Sequence, residues 1–239
     1  MALPILNTTI HELSLPSTGE KIKFRPFLVK EEKILLTALE GGEEKEITNA
    51  TKQIISQCIS SEDFDINNVP TFDIEYIFLM LRSKSVGEQI ELKYEPECYE
   101  KCKTYAEIKV DIKDVKVEKT KDHTNRIKLT KDVILDLKYP KIDALNELGN
   151  ASQVDMVFGI VLDCIDKIYE GEETHNVSDY TKQELMEFLD SLNTEQFKEI
   201  QNFFDTMPKL RYRAKWSCPK CGKEDVKIVE GLNSFFELA

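Results

Sequence analysis

Two pairs of cysteines are the residues in this chain whose types and spacing could do chemistry. Cys218 and Cys221 lie close together near the C-terminal end, and Gly222 follows them directly. Cys98 and Cys102 form a second close pair in the middle of the chain. Thiolates at such spacings are typical zinc ligands, and glycine permits the tight turn that directs both sulfurs of a pair toward one ion. The sequence therefore predicts that the two pairs share one structural Zn²⁺.

Two other interpretations of these cysteines stay open from the sequence. They could be two unconnected pairs of thiols, or pairs that form disulfides. The N-terminal residues Met1–Leu6 have no basic start and no long apolar core, so they do not resemble a signal peptide. A reducing compartment is therefore expected, and it favours metal ligands over disulfides. Four thiolate ligands would leave no position for a reactive water, so the predicted site is structural rather than catalytic.

The two remaining cysteines are predicted to belong to the core. Cys58 and Cys164 each lie within a stripe of apolar residues that recurs with a helical period. Free cysteine is among the residue types most often buried, and it packs there as a small apolar side chain.

Composition limits the classes of partner. The chain has 239 residues, of which 41% are hydrophobic and 32% charged, and its formal net charge is −12. An acidic chain is disfavoured as a nucleic-acid binder, because such binding relies on Lys and Arg facing phosphate. The longest apolar runs, such as Tyr76–Leu81, are too short to span a bilayer, so no membrane contact is predicted.

The periodicity of apolar residues predicts an α+β fold. It consists of a helical body, an N-terminal β-hairpin at 8–27 and a discontinuous zinc-ribbon-like β module built from two hairpins, each carrying a cysteine pair. The predicted helices cover residues 29–40, 46–60, 72–84, 153–169, 181–191 and 194–206. The predicted strands cover 90–94, 105–112, 125–129, 133–139, 210–216 and 226–229.

These elements suggest four consecutive parts. Residues 1–87 hold the hairpin and the first helices, and residues 88–140 hold the first cysteine hairpin with further short strands. Residues 141–208 are predicted to form a helical insertion. Residues 209–239 carry the second cysteine hairpin, which completes the ribbon, and an apolar tail.

A basic segment near the end offers a second possible function. Seven Lys or Arg residues and only two acids lie between Lys209 and Lys227, with Tyr212 and Trp216 among them. A nucleic-acid-binding ribbon would have this composition. However, the aromatic residues alternate with the cations, which predicts that they face the core while the cations face solvent or an acidic partner. Nucleic acid is therefore the less favoured partner.

Signals of catalysis are weak. His11–Leu15 resembles half of a metalloprotease motif, but the second histidine is missing. The three histidines are scattered, and the sequence contains no P-loop, dinucleotide fingerprint or Gly-x-Ser-x-Gly motif. The chain is therefore predicted not to be an enzyme.

Three stretches carry a resemblance to a known family. They are Lys23–Lys33, Phe72–Phe78 continued by Leu81–Glu88, and Cys218–Gly222 leading to Gly231, Leu232, Phe235 and Phe236. With them the chain resembles, nearly from end to end, the baseplate proteins of T-even-like contractile-tailed bacteriophages, namely the hub subunit and the related hub assembly catalyst. The resemblance implies work in building the central baseplate hub inside the infected bacterium, without enzymatic turnover.

The resemblance also implies a set of partners. They are other baseplate hub and tail proteins, and either a subunit that stays in the virion or a chaperone that leaves it is compatible with the sequence. A chaperone could serve, for example, the tape measure protein. The acidic helical faces and the apolar C-terminal tail, with Phe235, Phe236 and Leu238, are predicted to contact these partners.

Overall fold

The computed structural model describes residues 8–142 and 153–231 and divides the chain into two compact units. The first unit combines the residues up to Glu118 with those from Lys209 onward, and the second unit is Lys119–Pro208. The segment 141–208, predicted as a helical insertion, lies inside the second unit. That unit contains a four-stranded sheet as well as helices.

Helices and small antiparallel sheets confirm the predicted α+β class and the N-terminal hairpin. The helices are α1 (Val29–Gly41), α2 (Glu44–Cys58), α3 (Thr71–Ser85), α4 (Tyr99–Cys102), α5 (Gln153–Cys164), α6 (Lys182–Asp190) and α7 (Thr194–Thr206). The strands are β1 (His11–Ser14), β2 (Lys21–Phe24), β3 (Gln89–Tyr94), β4 (Ala106–Asp111), β5 (Lys116–Glu118), β6 (Arg126–Lys128), β7 (Val133–Leu137), β8 (Ile165–Glu170), β9 (Glu173–Asn176), β10 (Lys209–Ser217) and β11 (Glu224–Glu230).

A buried ion pair fixes the entry to α1. The Glu31 side chain is fully buried, and its carboxylate accepts hydrogen bonds from Arg25 Nη2 at 2.8 Å and from the Leu28 backbone N–H at 2.8 Å. Arg25 also donates to the carbonyl of Gln57 at the end of α2, at 3.0 Å. Burial opposes ionisation of Glu31, but these donors outweigh it and lower the pKa of the carboxyl below its ordinary value. The pair therefore ties the β2–α1 connection to α2.

A second buried acid ties the hairpin to α3. The Asp73 side chain is buried, and its carboxylate accepts hydrogen bonds from the Ser17 backbone N–H at 3.0 Å and from the Ser17 hydroxyl. Burial raises the pKa of Asp73, and the hydrogen bonds from Ser17 oppose that shift. The β1–β2 turn is thereby positioned against the first turn of α3.

The β module of the first unit packs on α3. Strand β3 pairs with β4, and β10 lies between β11 and β5 in a three-stranded antiparallel sheet. Their apolar sides meet in a shared core formed by Leu79, Ile90, Leu92, Val110, Ile112, Val115, Leu210, Ala214 and Val229. The polar side chains that alternate with these residues face outward, as the period of two requires.

Strand pairing joins the two points where the chain leaves and re-enters the first unit. Glu118, the last residue of β5, lies directly opposite Lys209, the first residue of β10. The connection through the second unit therefore begins and ends at neighbouring positions of one sheet.

The second unit encloses its own core. Strands β6, β7, β8 and β9 form one antiparallel sheet in that order, and helices α5, α6 and α7 belong to the same unit. Its buried side chains are Ile127, Leu129, Leu135, Leu137, Val161, Leu162, Ile165, Leu185, Leu189, Ile200 and Phe203. The Thr181 and Asn193 side chains cap α6 and α7, which explains where these two helices begin.

The prediction of one helix over 153–169 is wrong at its C-terminal end. Helix α5 ends at Cys164, and the next residue begins β8. Ile165 lies opposite Leu137 of β7, and both side chains are buried. Over so short a segment the apolar residues are compatible with either a helical period or a strand period. The segment forms a strand because it pairs with β7.

Stability of the second unit should depend on pH through His123. Its side chain is buried, 3.0 Å from the Thr206 hydroxyl and 3.1 Å from the Tyr139 hydroxyl. Burial, with a contribution from Lys119, lowers the pKa of His123 below its ordinary value of 6.5. Below pH 6.5 the His123 ring is protonated in the unfolded chain, whereas burial disfavours the protonated ring in the folded unit. The free energy of unfolding should therefore fall as the solution is acidified.

Urea unfolding of the second unit at neutral pH and at mildly acidic pH measures this dependence. His123→Gln should flatten it, and His175→Gln, at the more exposed histidine of the same unit, is the matched comparison. An acid dependence that survives in His123→Gln would show that other groups cause it.

Candidate metal centre

The first cysteine pair lies on a single helical turn between β3 and β4. Helix α4 places Cys98 and Cys102 on one side of that turn, and the Cys102 N–H donates to the Cys98 carbonyl at 2.9 Å. Lys103 ends the turn in the left-handed conformation, with φ of 48°. The wider spacing of this pair thus follows from one turn of α-helix.

The second pair lies on the tight connection between β10 and β11. The Cys218 N–H donates to the Lys223 carbonyl at 2.9 Å, and the Gly222 N–H donates to the Cys218 carbonyl at 2.9 Å. Gly222 has φ of 69°, a conformation that glycine adopts without steric cost. The glycine after the second cysteine therefore closes the turn, as the sequence predicted.

The two turns bring all four thiols together. The sulfur atoms of Cys98, Cys102, Cys218 and Cys221 lie within 4.8 Å of one another. Four sulfurs at tetrahedral corners around Zn²⁺ would be separated by about 3.8 Å, given a Zn–S distance of about 2.3 Å. All four cysteines are free thiols, so the cluster is compatible with a metal site.

Burial and contacts between the turns shape the cluster. Cys98 and Cys218 are buried, whereas Cys221 is exposed. Lys220 Nζ donates to the Cys102 carbonyl at 2.8 Å, and Lys223 Nζ contacts the Glu97 carboxylate at 2.5 Å. Both contacts join one turn to the other, so they help to align the two turns.

The thiols differ in how readily they ionise. Burial and the neighbouring Cys218 and Cys221 thiols raise the pKa of Cys98 to about 12. Burial also acts against ionisation of Cys218, but backbone N–H groups of Cys221 and Lys220 donate to its sulfur and lower its pKa to about 6. Negative charge on the Cys218 sulfur resists ionisation of Cys98. A cation among the four sulfurs would relieve that repulsion.

The other two cysteines are buried and do not belong to this cluster, as predicted. Cys58 and Cys164 are fully buried, and burial raises the pKa of their thiols to about 11 and about 12. Among the described residues, the four clustered cysteines are the one group of three or more His, Cys, Asp or Glu side chains placed to hold a metal ion. The predicted partner-binding residues Phe235, Phe236 and Leu238 lie outside the described residues.

The sequence does not identify the contacts that align the two turns. In the sequence, Lys220 and Lys223 fall within the basic segment between Lys209 and Lys227, and Glu97 is the residue before Cys98. Their proximity to the metal-binding motifs is the only signal that could have singled them out.

Comparison with known proteins gives the family. Residues 8–237 match the family described as T4 bacteriophage base plate protein. The chain belongs to the T4 base plate protein family. One T4 base plate relative is the baseplate hub assembly protein gp26 of Enterobacteria phage T4, which is 23% identical over 221 residues. That alignment covers 92% of this chain and 95% of the relative.

No solved structure matches this member of the T4 base plate family significantly. In the part of the chain that the structure describes, no helix is both long and apolar enough to cross a membrane.

Proposed function

We propose that this chain is a structural or assembly protein of the central hub of a contractile phage tail baseplate, and that it acts through protein–protein contacts. The observation that carries this proposal is the family match, which extends over residues 8–237. The relative named as a baseplate hub assembly protein aligns over almost its whole length, so the similarity is not confined to one module.

The second part of the proposal is that Cys98, Cys102, Cys218 and Cys221 bind one Zn²⁺ and complete a zinc ribbon from two distant hairpins. The clustered sulfurs, the closing glycine and the lysine contacts between the two turns support it. With four thiolates the ion has no open coordination position, so its role is structural.

Energetics favour such a role. Closing the chain segment between Cys102 and Cys218 costs roughly 4 kcal/mol of chain entropy, whereas binding of a structural Zn²⁺ gives on the order of 10–16 kcal/mol. The pairing of Glu118 with Lys209 already holds the ends of the connection through the second unit. Zinc would therefore stabilise the cysteine-bearing ends of the two hairpins rather than the attachment of the second unit.

Partner contacts are proposed for the acidic surfaces and for the apolar tail with Phe235, Phe236 and Leu238. They would engage other baseplate hub and tail proteins, and the tape measure protein stays a predicted partner only. These contacts are compatible with a resident virion subunit and with a transient assembly protein. Mass spectrometry of purified virions distinguishes the two, because only the resident subunit would be found in the particles.

Deleting the gene from the phage that encodes this chain tests the proposed function. Lysates of infected cells should contain tails without complete baseplates, visible by electron microscopy, and infectious particles should fall by several orders of magnitude. Wild-type protein supplied from a plasmid should restore both. Normal baseplates and normal titres without the gene would contradict the proposal.

A further inference from the structure

One face of the β10–β11 hairpin exposes apolar side chains within a frame of cations. Val226 and Ile228, alternate residues of β11, are 54% and 50% exposed. In the antiparallel register they lie opposite Lys215 and Arg213 of β10. Val229, on the other side of the same strand, is buried in the core. This outward side, called here the ribbon face, consists of Arg211, Arg213, Lys215, Val226, Ile228 and Glu230.

The ribbon face is basic on an acidic protein. Arg211 Nε contacts Glu230 at 2.6 Å, and Arg213 contacts Glu118 of β5 at 3.1 Å. Lys215 adds an exposed cation. The whole chain carries a net charge of −12, so this cationic face departs from the rest of the molecule. Such a local reversal of sign attracts an acidic partner.

The edge of β11 adds a means of binding an extended chain. Among the described residues, β11 pairs only with β10, so its outer edge offers unpaired backbone N–H and C=O groups. An exposed edge strand that carries exposed apolar residues at alternate positions is suited to accept a further strand.

The chemistry of the ribbon face favours protein over nucleic acid. Tyr212 packs against the core on the opposite side of β10, and Trp216 alternates with the outward residues in the same way. The face therefore presents no aromatic ring on which a base could stack. The exposed Val226 and Ile228 suit apolar side chains of a protein rather than phosphate.

We propose that the ribbon face docks an extended acidic segment of another baseplate protein. Apolar side chains of that segment cover Val226 and Ile228, and its carboxylates pair with Arg213 and Lys215. The inference rests on the proposed function, since it takes the partner from the same baseplate.

Binding to purified baseplate proteins of the same phage tests the inference. Each protein is immobilised separately, and full-length zinc-loaded chain is passed over it. The double variant Val226→Thr, Ile228→Thr removes apolar contact but keeps β-branched side chains. The variant Lys215→Glu reverses one charge. Matched controls in the second unit are Val154→Thr, at a side chain that is 65% exposed, and Lys198→Glu.

Wild-type chain should bind at least one protein of the panel, more weakly at high salt. Both ribbon-face changes should weaken that binding by about tenfold or more, and the controls should stay within about twofold of wild type. Circular dichroism and the zinc content of each variant report folding. If the double variant does not fold, Lys215→Glu alone decides.

The remaining outcomes separate a failure of the inference from a failure of the proposed function. Binding by wild type and by both ribbon-face variants with equal affinity would overturn the inference and leave the proposed function intact. Binding to no baseplate protein would count against the proposed function itself. Salt-dependent retention on duplex DNA that Lys215→Glu abolishes, without protein binding, would reassign the face to nucleic acid and overturn the inference.

Discussion

Replacing Cys218 by serine is expected to abolish stoichiometric zinc binding and to destabilise the first unit by on the order of 5 kcal/mol. Cys218 is the buried thiol that backbone N–H groups hold closest to the thiolate form. Serine cannot supply this soft, readily ionised ligand, and three cysteines would leave the coordination sphere open. The measurement is metal content by mass spectrometry together with urea unfolding of the first unit.

A second cysteine substitution provides the matched control. Cys58→Ala removes a fully buried thiol outside the cluster, so it should lower stability through a cavity while one Zn²⁺ per chain remains. Retention of one Zn²⁺ by Cys218→Ser, or equal loss of metal in Cys58→Ala, would contradict the assignment of ligands.

Replacing Glu31 by alanine should destabilise the first unit by about 3–5 kcal/mol, because it leaves Arg25 without its buried partner. The Glu31 side chain is fully buried, and that of Arg25 is only 18% exposed. The same change removes the acceptor for the Leu28 N–H at the start of α1. Urea unfolding monitored by circular dichroism measures the loss.

The neighbouring acid is the control for that prediction. Glu32→Ala removes a carboxylate from the same helical turn without a buried partner, so its cost should stay below about 1 kcal/mol. Lowering the pH should also remove the stabilisation that the Glu31–Arg25 ion pair provides. Because the pKa of Glu31 is lowered in the folded unit, its stabilising effect is present above pH 4.5 and is lost as the pH falls through the lowered value. Equal costs for Glu31→Ala and Glu32→Ala would show that the ion pair contributes little.

The sequence predicts well where local pattern determines structure. Apolar residues at helical spacing predict α1, α2 and α3 nearly to their ends, and alternation around each cysteine pair predicts the flanking strands. The two pairs could be matched across a long segment because the chain has only six cysteines and three histidines, the residue types that structural zinc sites favour. Their proximity then follows from the pairing of β10 with β5 and from a core shared with β3 and β4.

Prediction from sequence fails where tertiary contacts determine which of two possible local structures forms. Residues 165–170 fit a helix as well as a strand, and only pairing with β7 selects the strand. The role of Glu31 is equally hidden, because an acid in the first turn of a helix is ordinarily a solvated residue that favours the helix dipole. Its burial depends on Arg25 and on the end of α2, which no local pattern encodes.

The most direct test of the account is X-ray absorption spectroscopy on protein purified without added metal, with zinc quantified in the same sample. We expect one Zn²⁺ per chain with four sulfur neighbours at about 2.3 Å. Absence of zinc, a coordination shell that contains nitrogen or oxygen, or disulfides between Cys98, Cys102, Cys218 and Cys221 would contradict it.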